Sequence, residues 1–150
     1  MRRIVLLASS LLAVPLIALP GQVTREVIRL PGAAASTTPL SAAIRAGDFL
    51  YLSGQIGIAP GGRGLAPGGI SAEAKQALEN IQRVLDAAGS SMERVVKCTV
   101  FLADIADFGA MNEVYRTFFP TDPPTRSTVG VAGLVLNARI EIECLALAGR

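Results

Sequence analysis

The strongest constraint on the fold is a change of hydrophobic period in the middle of the chain. Apolar residues recur at helical spacing over 70–88, which predicts an amphipathic helix, and Gly89 stands where a left-handed residue would end it. The apolar run 95–102 follows, interrupted only by Lys97 and Thr99, and predicts a strand buried centrally under a helix. The chain must therefore pack a helix on a sheet.

The other face of this predicted helix mixes acidic, basic and amide side chains. They are Glu73, Lys75, Gln76, Glu79, Asn80, Arg83 and Asp86. Because the charges are of both signs, we expect this face to lie in solvent, and we see no membrane-binding surface in it.

Three shorter strands are predicted before the helix. Residues 26–30 form one, and the runs 41–45 and 49–53 are joined by an Ala-Gly-Asp turn, a spacing that favours a hairpin. Gly54 and Gly57 then interrupt strand-like residues. Glycines in such positions indicate a bulge or the close approach of another group.

A second helix is predicted from about Asp104 or Asp107 to Phe119, with Pro120 ending it. One face of it is apolar, formed by Phe108, Met111, Tyr115 and Phe118 or Phe119. Asn112 lies near the middle, where asparagine slightly lowers helix propensity. It either faces water or is kept for a hydrogen bond.

The last part of the chain, Pro123 to Ala148, carries the most distinctive polar residues. Two strands, 126–129 and 139–144, are predicted to form a hairpin, each sending one apolar row to the core. The opposite rows would then carry Arg126 on one strand, and Glu141 and Glu143 on the other. These groups could bind a small charged molecule, or could form a cross-strand ion pair on a solvated sheet face.

Cys98 and Cys144, the two cysteines, each lie in a predicted apolar strand. An exported protein could oxidise them. Each cysteine points to the same face of its strand as apolar neighbours do. We therefore expect buried free thiols that act as small hydrophobes.

The chain begins with a basic Met-Arg-Arg and an uncharged apolar run to Leu19, the pattern of a secretory signal peptide. We expect a leader over 1–21, cleaved near Ala18 or Gly21, and one mature domain over 22–150 in the periplasm or outside the cell. Retention as an anchor and the twin-arginine route are alternatives. The net charge of +2 equals the charge of Arg2 and Arg3, so the mature domain is near neutral.

A near-neutral domain without a basic cluster gives no support for binding nucleic acid or, once the leader is removed, a membrane. The chain has no histidine. Histidine-based triads, metal sites and proton shuttles are therefore excluded, and chemistry must come from Arg, Glu, Asp, Ser, Thr, Tyr, Cys or the backbone.

Six motifs in order resemble the reactive intermediate deaminase family, RidA, also known as YjgF. They are Ser53-Gly54-Gln55-Ile56, Leu78-Glu79-Asn80-Ile81 with Ala87-Ala88-Gly89, 95–102, Asp107-Phe108 to Asn112 with Tyr115 to Phe119, 126–129 and 140–143. The order of the predicted elements, with both helices on one face of a mostly antiparallel sheet, indicates an α+β domain. The resemblance implies a chorismate-mutase-like fold for it. It also implies homotrimers with clefts between subunits.

The resemblance further implies hydrolysis of 2-imino acids to 2-keto acids and ammonia, without a cofactor. Arg126 would bind the substrate carboxylate, for which a planar guanidinium is suited, and Glu141 would position the attacking water. Ser53 and Asn112 match residues that line the family's cleft, although the Ser53 hydroxyl could equally be a strand-end group bonded to backbone. Glu143 is expected to be structural.

Two positions depart from well-studied deaminating members of the family. Leu40 stands where they have a tyrosine beside the cleft, and Thr128 where they have a cysteine two residues after the arginine. Losing the tyrosine removes an aromatic wall and a hydrogen bond, which bears on substrate range and rate more than on Arg126.

Two other functions remain open at this point. A trimer could use the same cleft to hold a small carboxylate metabolite without turnover, a reading that Leu40 favours and Glu141 disfavours. An exported trimer could instead act as a chaperone-like interaction protein, which would depend on exposed apolar surface. A nuclease activity has been claimed for some family members and has little physical basis in a neutral domain without histidine.

Overall fold

A computed structural model describes residues 23–32 and 39–149. The predicted leader and its cleavage site lie outside these residues. In the described ranges no helix is both long enough and apolar enough to cross a membrane.

The sheet has seven strands, and two α-helices cover it. The strands are β1 (Arg25–Ile28), β2 (Ala43–Ala46), β3 (Phe49–Leu52), β4 (Gln55–Ile56), β5 (Val95–Leu102), β6 (Thr125–Gly130) and β7 (Ile140–Leu147). The helices are α1 (Gly69–Ala87) and α2 (Phe108–Phe118), and short 3-10 turns occupy Met92–Arg94, Ile105–Asp107 and Val135–Asn137.

The sheet order is β1-β2-β3-β7-β5-β6, and β4 also pairs with β7. Every pairing is antiparallel except that of β5 with β6. Alternate residues of β5 and β7 are buried in one core with the apolar faces of α1 and α2. The predicted α+β class, with two helices packed on a mostly antiparallel sheet, is confirmed.

The predicted hairpin between the last two strands is wrong, because β5 lies between β6 and β7. β5 is apolar on one face and half-buried on much of the other, whereas most of β6 is exposed, so β5 takes the inner position. Parallel strands need a crossover, and α2 supplies it between β5 and β6. β7 then returns antiparallel on the other side of β5.

The other predicted hairpin, of β2 and β3, is confirmed. Its turn places Gly47 at φ 58°, a conformation that glycine adopts without a steric penalty. Of the two alternatives that the sequence left at Gly54 and Gly57, a bulge or the close approach of another group, the close approach is observed. A Cβ at Gly54 would overlap the Glu141 carboxylate, and one at Gly57 would lie 2.6 Å from the Cα of Glu73.

Helix α1 ends as predicted, with Gly89 at φ 68° just after the last turn. The backbone N–H of Ser90 donates to the Leu85 carbonyl at 2.9 Å, and that of Gly89 donates to the Asp86 carbonyl at 3.0 Å. This is a Schellman cap, which satisfies carbonyls that the helix leaves open.

The prediction that the polar face of α1 is solvated is wrong for two residues. Glu73 is only 5% exposed, and its Oε2 accepts a hydrogen bond from the backbone N–H of Arg139 at 2.8 Å. Asn80 donates to the carbonyls of Ile56 and Ile58 at 3.2 and 2.8 Å. Glu73 is buried and Asn80 is half-buried because the β4 segment crosses closely over α1, a tertiary contact that the helical period does not encode.

The expectation of free thiols is also wrong, because Cys98 and Cys144 form a disulfide. They are directly opposite each other in the β5–β7 ladder, with Cα atoms 4.1 Å apart. Both are buried, as their parity predicted. Side-chain parity does not define the register of these two strands, so it could not show that the two sulfur atoms meet.

The disulfide closes a long loop, since its cysteines are 46 residues apart. Replacing both by alanine should lower the free energy of unfolding by about 2 to 4 kcal/mol, because the unfolded chain regains the entropy of that loop. Denaturant titration of the purified protein with and without a reductant measures this. The reductant should lower the free energy of unfolding of the wild type and leave that of the double variant unchanged. Equal stability of the two proteins without reductant would contradict the prediction.

Candidate functional site

Arg126 is held by α2, which crosses over its strand. Its Nη2 donates to Oδ1 of Asn112 at 2.6 Å, and its Nη1 lies 3.9 Å from Sδ of Met111. Asn112 therefore uses its side chain to orient the guanidinium. Of the two alternatives that the sequence left for Asn112, the hydrogen bond is the one observed.

Two aromatic rings flank the same guanidinium. Its Cζ lies 4.5 Å from the ring centroid of Tyr115 and 5.7 Å from that of Phe108, within the range of cation–π attraction. Tyr115 is 5% exposed and Phe108 is 42% exposed. Arg126 thus rests against a buried ring and beside a partly exposed one.

The Tyr115 hydroxyl is buried and has no hydrogen-bond partner in the part of the chain that the structure describes. Burial raises the pKa of Tyr115 to about 12, and the nearby Arg126 charge opposes that rise. The ring, and not the hydroxyl, is what this residue contributes to Arg126.

The side chains of β6 point to the opposite faces of the sheet from those predicted. Arg126 pairs with Cys98 and Thr128 pairs with Val100, and both partners point into the core beneath the helices. Since paired residues share a face, Arg126 and Thr128 lie in the helix-side row, each half-buried at the sheet edge. Ser127 and Val129 form the outward row that the sequence assigned to the core.

Glu141 lies on the opposite face of the sheet. Its neighbours Ile140 and Ile142 are fully buried on the helix side, so Glu141 points to the face without helices. It pairs with Ile56 of β4, and its carboxylate lies against Gly54. The absence of a side chain at Gly54 is what makes room for it.

Ser53 and Leu40 line one cavity of about 360 Å³ with Arg25, Ser41, Tyr51 and neighbouring residues. The Ser53 hydroxyl donates to the Ser41 carbonyl at 2.7 Å, the backbone-bonded arrangement that the sequence left open. Leu40 is 60% exposed. Tyr51, on the helix-free face, belongs to the same cavity wall.

The six predicted site residues therefore fall into two groups. Arg126, Asn112 and Thr128 lie together on the helix side of edge strand β6, whereas Glu141, Ser53 and Leu40 belong to the β4–β7 and β2–β3 region. Arg126 bonds to Asn112 instead of forming a cross-strand pair with a glutamate. Within one chain the guanidinium and the Glu141 carboxylate face opposite ways.

An ion pair connects the start of β7, the strand that carries Glu141, to the start of α2, the helix that holds Arg126. Arg139, just before β7, donates to both carboxylate oxygens of Asp107 at 2.9 and 2.8 Å. The Asp107 hydrogen bond and charge raise the pKa of Arg139. Since Asp107 precedes α2, this fork fixes the start of β7 against the start of the helix that holds Arg126.

Sequence reasoning missed Phe108 and Tyr115 as partners of Arg126, although their spacing carried a signal. Phe108, Asn112 and Tyr115 follow an i, i+4, i+7 pattern, so they share one helix face. The sequence pattern identifies only the apolar character of Phe108 and Tyr115. Glu73 and Asp107 were also missed, and only their contacts identify them.

No cluster of three or more His, Cys, Asp or Glu side chains that could hold a metal ion occurs in the described ranges.

The fold and the clamped edge arginine define a RidA-like α+β protein. The profile described as Endoribonuclease L-PSP matches residues 31–148. The chain belongs to this family, which is the RidA/YjgF family.

Curated relatives span most of the chain. A mouse protein named 2-iminobutanoate/2-iminopropanoate deaminase is 44% identical over 127 residues, which is 85% of this chain and 94% of the relative. The RutC family protein UK114 of Drosophila melanogaster is also 44% identical, with 85% and 92% covered.

Solved structures agree with the fold. Yeast YEO7 has a TM-score of 0.78 and 40% identity, with 85% of this chain and all of that chain covered. Escherichia coli TdcF, solved with bound serine, has a TM-score of 0.76 and 34% identity, with 83% and 99% covered.

The raised pKa of Tyr115 predicts a loss of stability at high pH. The folded state keeps this phenol neutral up to about pH 12, whereas the unfolded chain ionises it near its ordinary value of 10.0. The contribution of Tyr115 to the free energy of unfolding is therefore complete below pH 10. It falls as pH rises toward 12, by at most about 2 to 3 kcal/mol.

Denaturant titrations at about pH 9 and about pH 11 measure this loss. Tyr115→Phe removes the titrating group and keeps the ring, so it should lose less stability between these two pH values than the wild type. Tyr51→Phe, at the other tyrosine, is the matched control. Equal losses in wild type and Tyr115→Phe would contradict the prediction.

Proposed function

We propose that this protein hydrolyses 2-imino acids to 2-keto acids and ammonia. The observation that carries the proposal is the fixed guanidinium of Arg126, held by Asn112 and Tyr115 and half-buried at the edge of the sheet. A planar guanidinium in a defined orientation is suited to a substrate carboxylate. The names of the mammalian relatives support the reaction, and a family structure with bound serine supports a ligand of the 2-amino acid type.

In the proposed reaction, water adds to the C2 carbon of the protonated C=N group while Glu141 accepts one of its protons. The addition gives a tetrahedral carbinolamine. Glu141 then returns the proton to nitrogen, the C–N bond breaks and ammonia leaves, and the hydroxyl gives its proton back to Glu141 as the C=O bond forms. An imine is intrinsically labile, so orientation and modest proton transfer are sufficient, and no cofactor takes part.

We propose that the site lies between subunits of a homotrimer. Arg126 and Glu141 face opposite sides of the sheet in one chain, so one chain cannot bring both to the same small molecule without a large rearrangement. A cleft between neighbouring copies would pair Arg126 of one copy with Glu141 of the next. Ser53 and Leu40 would form the wall on the Glu141 side.

A non-catalytic carboxylate binder is the second candidate, and the exposed Leu40 favours it. Leu40 offers no phenol where the family has a tyrosine, and the phenol on that wall belongs to Tyr51 instead. The presence of Glu141 beside Gly54 favours turnover instead. Measuring hydrolysis and binding on the same preparation separates the two.

We also propose that the mature domain works in the periplasm or outside the cell. The apolar leader with its two arginines motivates this, and the Cys98–Cys144 disulfide supports it, because disulfides persist in oxidising compartments. The substrate would then come from an amine-oxidising reaction in the same compartment.

The two-subunit site predicts complementation between inactive variants. Arg126→Ala and Glu141→Gln should each lower kcat/KM for an imino acid made in situ by an amino-acid oxidase, by roughly 100-fold or more. Trimers assembled from an equal mixture should recover about a quarter of wild-type activity, because one interface in four joins an intact Arg126 to an intact Glu141.

The control for complementation is Glu143→Gln, which changes a neighbouring carboxylate that we regard as structural and should keep near-normal activity. Ammonia and keto-acid release are the readouts, with trimer size checked by sedimentation. A wild type that releases neither product above the spontaneous rate would refute the proposed hydrolysis. The non-catalytic carboxylate binder would then remain as the candidate function. Active single variants, or mixtures without recovery, would refute the proposed site.

The proposed export is tested with the full-length chain in a bacterial host. The protein recovered from the periplasmic fraction should begin after Ala18 or Gly21 by mass spectrometry, and its cysteines should resist alkylation until reduced. Full-length protein with free thiols in the cytoplasmic fraction would contradict this.

A further inference from the structure

An exposed apolar shelf lies beside the arginine of the proposed site. It consists of Ile105, which is 56% exposed, and Phe108, which is 42% exposed. Single exposed apolar side chains are common on proteins. The argument therefore depends on where these two lie, and not on their exposure alone.

The shelf borders the row of β6 that contains the guanidinium. The Phe108 ring centroid is 5.7 Å from Cζ of Arg126. Ile105 packs beside Gly130, where an added Cβ would lie 3.6 Å from the Ile105 Cβ. Gly130 shares a row with Arg126 and Thr128, because alternate strand residues point to the same face.

We propose that Ile105 and Phe108 bind the side chain of the imino acid and select aliphatic substrates over acidic ones. This inference rests on the proposed function, because Arg126 must hold the carboxylate first. The side chain of a 2-imino acid begins two bonds from its carboxylate carbon. A substrate clamped by the guanidinium therefore places its side chain a few ångströms away, where the shelf begins.

The surroundings of the shelf disfavour an acidic side chain. Asp104 and Asp107 stand on either side of Ile105 in the chain, and the Asp104 carboxylate is exposed, accepting the Ala106 N–H at 2.9 Å. Because Asp107 is paired with Arg139, a second substrate carboxylate would meet the negative charge of Asp104. It would also lose water against Ile105 and Phe108, while the nearby Arg139 guanidinium is already bound to Asp107.

Stable keto acids test the shelf without turnover, because they carry the same carboxylate and side chain. Calorimetry on the mature protein in its native assembly would compare the keto acids of leucine, alanine and glutamate. The leucine analogue should bind roughly fivefold more tightly than pyruvate, the alanine analogue, through its extra apolar carbons, and the glutamate analogue should bind more weakly than pyruvate.

Ile105→Asn should bring the leucine and alanine analogues within about twofold of each other and leave pyruvate affinity within about twofold of wild type. The matched control is Val23→Asn, which changes an apolar residue that is 75% exposed and lies just before β1, at the opposite edge of the sheet. It should leave all three affinities unchanged.

Three outcomes would overturn the shelf. They are equal wild-type affinities for the leucine and alanine analogues, an unchanged ratio in Ile105→Asn, and a change of oligomer size in Ile105→Asn, which would make Ile105 a subunit contact. If the wild type binds no keto acid and hydrolyses no imine, the proposed function itself fails. Imine hydrolysis without side-chain preference would refute the role of the shelf and would leave the proposed function standing.

Discussion

The parallel pairing of β5 with β6 is the constraint on which the rest of the structure depends. Parallel neighbours cannot be joined by a tight turn, so the chain must cross the sheet between them, and α2 is that crossing. The same helix supplies Asn112 and Tyr115 to Arg126. The connection that the topology requires thus also orients the guanidinium on which the proposed carboxylate site depends.

The position of β5 also separates the two charged groups. Because β5 lies between β6 and β7, Arg126 and Glu141 are on different strands with another strand between them. Side-chain alternation then directs the guanidinium to the helix side and the carboxylate to the other. This physical separation of the two charged groups is the reason for proposing that neighbouring copies complete the cleft.

Several tertiary contacts stabilise the strand that carries Glu141. Glu73 of α1 accepts the Arg139 N–H, Arg139 forms a fork with Asp107, and the disulfide joins the middle of β7 to β5. A buried carboxylate such as Glu73 is costly unless it is hydrogen-bonded, and here it is. The beginning and middle of β7 are thereby fixed to both helices and to the central strand.

The sequence by itself determined the elements and the candidate residues. Hydrophobic period predicted α1, α2 and β5, turn chemistry predicted the β2–β3 hairpin, and the motifs predicted Arg126 and Asn112. Only the tertiary structure decided that β6 pairs parallel to β5, that Cys98 meets Cys144, and that Arg126 and Glu141 face apart. Side-chain alternation gives each strand two faces, but strand order and register, which decide where those faces point, depend on contacts between residues far apart in the chain.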